Sequence, residues 1–152
     1  MIRARELADS APDGEDWYAS LLWSSGRKCL LLTHVATLFT VFEPDVRAAD
    51  FRDPGRLVTG LIKRELLREQ LPPDTFGELE KAEVVLAKTA DRSVLGCMND
   101  MAFMCEVTIT RSGGLADTDI ADLNQALRRN INSARAYQPP IELAARHLHA
   151  RP

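Results

Sequence analysis

Residues 17–33 constrain the fold of this 152-residue chain more than any other segment. In Trp17-Tyr18-Ala19-Ser20-Leu21-Leu22-Trp23 large apolar residues alternate, so Trp17, Ala19, Leu21 and Trp23 share one face of a strand. Tyr18, Ser20 and Leu22 occupy the other face. Ser24-Ser25-Gly26-Arg27 is a glycine-containing turn, and Lys28 to Thr33 supplies a second strand. Two such runs across a short turn predict a β-hairpin. Period-two aromatics in a hairpin usually face a core, so the Trp17, Leu21 and Trp23 face is expected to lie under helices. Stacking of a nucleic-acid base on Trp17 and Trp23 is the alternative.

The rest of the chain alternates helix signals with breakers. Asp9 to Asp16, with Pro12 and Gly14, reads as a loop after a short strand near Ile2 and Ala4. Val35, Leu38 and Phe42 fall at helical spacing, which favours a short helix over a third strand at 35–42. Asp53-Pro54 opens a helix running to about Gln70, with Leu57, Val58, Leu61, Ile62 and Leu66 on its apolar face and Leu67 off it. Pro72-Pro73 stops it. Val84 to Ala87 reads as a buried strand and the stretch from Ser93 to about Cys105 as a helix. The β-branched residues of Val107-Thr108-Ile109-Thr110 predict another strand. Thr118 to Arg135 carries a narrow apolar stripe of Ile120, Leu123, Leu127, Ile131 and Ala134. Ile141 to His149 forms a short last helix.

The expected fold is therefore α+β: one domain over 1–152, with an antiparallel sheet built on the N-terminal hairpin and packed by three to four helices. The tail, about 139–152, is expected to be peripheral. An apolar fraction of 45% and a charged fraction of 27% are those of an ordinary globular protein. The net charge of −3, from 22 acids against 19 bases, gives no general support to nucleic-acid or membrane binding. Apolar runs are too short to cross a bilayer, and the N-terminus lacks the apolar stretch of a signal peptide. Cys29, Cys97 and Cys105 are widely spaced in apolar segments and form no CxxC pair. His34, His147 and His149 complete no zinc pattern with them, so neither a metal nor another cofactor is expected. Buried, reduced thiols point to a cytoplasmic protein.

One segment gathers polar groups by local sequence alone. Lys88, Thr89, Arg92 and Ser93 stand at the head of the third helix, where Asp91 or Ser93 can cap it, and Asn99 and Asp100 lie one to two turns deeper. Free backbone N–H groups there favour a phosphate or carboxylate, and Lys88 and Arg92 add positive charge. In the competing structural reading Ser93 or Asp91 is a cap and Arg92 pairs with Asp100. No glycine-rich phosphate loop precedes the Lys-Thr pair, and no nucleophile elbow accompanies His34. His34 reads as structural or solvent-facing, and His147 and His149 as solvated. Arg128, Arg129, Arg135, Arg146 and Arg151 concentrate positive charge near the C-terminus, with a solvated helix face as the default reading.

The order of motifs resembles an uncharacterised bacterial family of domains of unknown function, DUF6933. The similarity rests on 16–22 (DWYASLL), 27–32 (RKCLLL), 37–39 (TLF), 44–46 (PDV) and above all 88–100 (KTADRSVLGCMND), and spans about residues 1–135. Similar sequences tend to carry serine where this chain has Cys97, which argues against thiol chemistry there. The resemblance implies a bacterial stand-alone domain marked by the 88–100 segment, and it carries no activity, ligand or catalytic residue. Three functional readings follow. The first is a cytoplasmic binding or interaction module, with a protein partner or a second copy as its target. The second is an enzyme or binder acting on an anionic small molecule at Lys88, Thr89, Arg92, Ser93, Asn99 and Asp100. The third and weakest is nucleic-acid binding through the C-terminal arginines.

Overall fold

The computed structural model describes residues 15–77, 79, 92–130 and 138–150, with the backbone alone for 148–150. Three strands, β1 (Trp17–Ser24), β2 (Arg27–His34) and β3 (Thr40–Glu43), form an antiparallel sheet in the order β1-β2-β3. Among the described residues four α-helices pack around it: α1 (Pro54–Arg68), α2 (Arg92–Ser112), α3 (Ile120–Arg129) and α4 (Pro140–Ala150). The architecture is α+β, as expected from the hairpin. Among the described residues no helix is long and apolar enough to cross a membrane.

The hairpin closes through Ser25 and Gly26, at φ 53° and 72°. Positive φ at both loop positions is the twist-matched two-residue turn, and Gly26 adopts it without a steric penalty. The resulting register sets Trp17 opposite His34 and Ser24 opposite Arg27. As the central strand, β2 is covered on both faces, which explains its near-continuous apolar run. Cys29, Leu31 and Phe42 meet Val94, Met98, Met101, Cys105, Leu123 and Leu127 on one face, with Tyr18 and Leu22 beside them. Leu30, Leu32, Phe39 and Val41 meet Leu61, Ile62, Leu66, Phe76 and Ala144 on the other, with Trp17 packed against that cluster.

Four expectations need correction. Residues 35–42 are not a helix: Leu38 turns at φ 60°, with its N–H donating to the His34 carbonyl at 2.8 Å, and β3 follows. A left-handed leucine carries no signal in a periodicity count, and pairing with β2 decided the outcome. Val107–Thr110 is not a strand but the last turns of α2. Ile109 is buried there and extends the Met98, Met101, Cys105 stripe, so packing overrode β-propensity. The buried arc of α2 also takes in Cys97 and leaves Leu95 exposed. Finally, Trp23 and Leu21 are 71% and 49% exposed, so none of the described helices covers that end of β1. The opposite face, with Tyr18 and Leu22, is the one that meets α2 and α3.

Polar groups link the helices to β3. Asn124 uses its amide as a surrogate strand edge, accepting from the Phe42 N–H at 2.7 Å and donating to the Phe42 carbonyl at 3.0 Å. Arg128, fully buried, donates to the Thr40 carbonyl at 3.2 Å and to Glu65 at 3.1 Å. Glu65, also fully buried, is held in addition by Arg64 and Arg68, each at 2.8 Å. Burial presses the Arg128 guanidinium below its ordinary pKa, and the carboxylates of Glu69 and Glu65 oppose that shift. Arg128 is therefore part of the interior rather than of a basic surface.

Candidate functional site

At the far end of β2 the turn through Leu38 folds Thr37 back beneath His34. The Thr37 hydroxyl accepts from the Phe39 N–H at 3.1 Å and lies 2.9 Å from His34 Nδ1. With Nδ1 engaged, Nε2 is the nitrogen turned toward Glu15, whose Oε2 lies 3.7 Å away. The hairpin register explains the encounter: Trp17 is opposite His34, so Glu15, just before β1, reaches the same end. The third member comes from α4. Buried Ala144 and the packed Ile141 seat that helix on the sheet, and His147 Nε2 meets Glu15 Oε1 at 2.7 Å. The C-terminal segment is thus packed against the domain at Ala144, and His147 is largely buried rather than solvated.

Aromatic rings wall this cluster. His34 is fully buried, 5.0 Å from the Trp17 ring and 4.4 Å from Phe76, with the two imidazoles 5.1 Å apart. Phe76 arrives on the turn after Pro72, where Thr75 donates from both its N–H and its hydroxyl to the Pro72 carbonyl. One carboxylate between two imidazoles in an apolar wall can hold a proton, a cation or a polarised water. Sequence reading missed this set because Glu15 and His147 are 132 residues apart. The pairing of Glu15 with His34 was within reach of the hairpin register.

A second feature lies at the opposite end of the hairpin. Between β1 and α2 runs a groove of about 390 Å³ lined by Leu21, Leu22, Trp23, Ala102, Phe103 and Ile109 among others. Phe103 is 67% exposed at its rim, and Lys28 sits 5.6 Å over the Trp23 ring. Cys105, at the floor, has its thiol pushed up to about 12 by burial and by neighbouring Cys29.

Four of the six residues expected to form an anion site are described, all of them on α2. Lys88 and Thr89, with Asp91, lie outside the described residues. Arg92 and Ser93 are exposed in the first turn of α2, and Asn99 and Asp100 are exposed further along it. Seven residues separate Arg92 from Asn99 and Ser93 from Asp100, about 10 Å along a helix axis. Asn99 belongs instead to the lining of the β1–α2 groove. A buried Arg92–Asp100 pair is excluded, since both side chains are exposed. Of the C-terminal arginines, Arg129 contacts Glu69 at 3.0 Å and Arg146 bonds Gln138, whereas Arg135 and Arg151 lie outside the described residues.

No curated protein and no solved structure matches the chain. A family model described as a domain of unknown function matches residues 2–143. The match takes in the whole sheet, α1 to α3, Glu15 and His34, and stops short of His147. With nearly the full length of the chain inside it, this protein belongs to the DUF6933 family of domains of unknown function.

Proposed function

We propose that this chain is a small interaction domain whose working surface is the outer edge of β1 and the groove beside it, and that its partner is a second copy of itself. One observation carries the reading: the two edges of the sheet are treated differently. The edge of β3 is capped by side chains of α3, through Asn124 on Phe42 and Arg128 on Thr40. The edge of β1 pairs with no other strand among the described residues. Its eight residues, WYASLLWS, contain no charge, proline or glycine. Soluble proteins usually blunt an edge with such residues, and an apolar edge left without them invites strand addition.

The geometry specifies the pairing. A two-residue hairpin loop makes Ser24–Arg27 a hydrogen-bonded pair, and the alternation then directs the main-chain groups of Trp17, Ala19, Leu21 and Trp23 outward. A two-fold axis at Ser20 joins these groups to their copies, setting Ala19 against the partner's Leu21 and Trp17 against the partner's Trp23. Such a contact is isologous and closes on itself. A strand added there also covers Leu22 and Phe103, which line the same groove. A cytoplasmic setting belongs to this reading, because all three cysteines are buried and none is in a disulfide. Sedimentation velocity over a concentration series tests it: a reversible dimer is expected, and Leu21→Lys should raise its Kd more than about tenfold, or 1.4 kcal/mol. Leu21 is half exposed, so the variant keeps its fold. A chain that stays monomeric at its solubility limit, or a dimer indifferent to Leu21→Lys and Trp23→Lys, refutes the proposal.

A second reading keeps an anion at the head of α2. It is supported by the exposure of Arg92 and Ser93 in the first turn.

A further inference from the structure

We infer that Glu15, His34 and His147 form a binding site for one divalent transition-metal ion of the Zn(II), Co(II) and Ni(II) class. Each of the three residues offers one donor atom, and these atoms all lie within 4.8 Å of one another. Two donors on a tetrahedral ion, each at about 2.1 Å, are separated by about 3.4 Å. The 3.7 Å between His34 Nε2 and Glu15 Oε2 is close to that value. The 2.7 Å between His147 Nε2 and the other carboxylate oxygen, Oε1, is a hydrogen bond, and must open for one carboxylate oxygen to serve as the single donor beside both imidazoles. Glu15 is half exposed on the segment leading into β1, so a small rotation of its side chain supplies that opening.

The surroundings are those of a ligating histidine rather than of an incidental one. His34 Nδ1 lies 2.9 Å from the Thr37 hydroxyl, itself anchored by the Phe39 N–H, so the ring orientation is fixed with Nε2 toward Glu15. An outer partner on the second ring nitrogen is what orients a metal-bound imidazole. Trp17 and Phe76 exclude water from one side, which strengthens the attraction between a cation and the carboxylate. Two imidazoles with one carboxylate favour borderline ions over Mg(II) or Ca(II), which prefer all-oxygen shells. Three protein donors leave a coordination position for water or an anionic ligand. The ion would also tie the segment before β1, the end of β2 and α4 together, so binding is coupled to folding.

The inference is independent of the β1 edge. The test uses the full chain, stripped with a chelator and then freed of it. Co(II) should bind at one equivalent with visible d–d bands that Zn(II) abolishes, and Zn(II) should raise the melting temperature. Glu15→Gln and His147→Ala should each weaken Zn(II) binding by about 100-fold, at or beyond the upper end of outer-shell effects. Both variants are checked for fold by circular dichroism; His34 is left in place because its complete burial makes unfolding a confounding result. Absence of one-equivalent Co(II) binding overturns the inference. So does Zn(II) affinity that is unchanged in both folded variants.

Discussion

Replacing Glu65 should destabilise the domain more than replacing Arg128, although the two residues face each other. Glu65 holds three guanidiniums: Arg128 on Oε1 at 3.1 Å, and Arg64 and Arg68 on Oε2 at 2.8 Å each. In Glu65→Leu the two outer arginines relax into water, since they are partly exposed. Arg128 cannot. It keeps only the Thr40 carbonyl, Glu69 at 3.6 Å and the face of Phe39 at 4.8 Å. A buried charge that loses its closest carboxylate costs about 3–5 kcal/mol at most, with Glu69 retained. In Arg128→Met the Glu65 carboxylate still has Arg64 and Arg68, so the loss approaches that of a hydrogen bond to a charged group, about 1.5–3 kcal/mol.

The double variant Glu65→Leu with Arg128→Met replaces the pair by apolar groups of similar size. It should recover at least half of the larger single loss, because no buried charge is then left unmatched. Urea melts followed by circular dichroism measure all three. For a chain of this length each kcal/mol moves the melting temperature by about 2–4 °C, so Glu65→Leu should lower it by about 6–20 °C. Additive single losses in the double variant refute the reasoning, as does an Arg128→Met loss at least as large as that of Glu65→Leu.

Two further outcomes are expected. Cys105 has its thiol raised from 9.0 to about 12 by burial and by Cys29, so in the alkaline range the unfolded chain releases a proton that the folded chain keeps. This contribution is fully present below about pH 9 and is lost as pH rises toward 12, at up to about 1.4 kcal/mol per pH unit; urea melts between pH 8 and 11 should be flatter for Cys105→Ala, and an identical slope would contradict the assignment. At the head of α2, exposed Arg92→Ala should cost less than about 0.5 kcal/mol. If an anion binds there, phosphate raises the melting temperature of the parent chain and not of this variant, and a phosphate shift that survives in Arg92→Ala rules Arg92 out.

How far the sequence determined these outcomes differs by the range of the interaction involved. The hairpin was legible because alternation and a glycine turn are local, and α1 was legible because Asp53 caps it and Pro54 begins it. Alternation defines two faces without saying which is covered, which is why Trp23 was placed in the core and stands at the surface. The strand β3 was hidden behind Leu38, whose left-handed turn is maintained by pairing with β2 and not by its own preference. Arg128 read as part of a solvated helix face, because only the meeting of α1 with α3 buries it against Glu65.

The Glu15, His34 and His147 cluster falls between these cases and shows where the boundary lies. Once β1 and β2 pair, the Trp17–His34 register brings residue 15 to the side of His34, so two of the three donors follow from a hairpin that the sequence announces. The third depends on α4 docking through Ala144 and Ile141, small contacts with no periodic signature of their own. Each such tertiary step multiplies the arrangements a reader of the sequence would have to consider. A single histidine at a strand end is therefore uninformative until its neighbours across the fold are known. The β1 edge presents the converse situation, since its lack of charge is plain in WYASLLWS while its meaning depends on β3 being capped by Asn124 and Arg128.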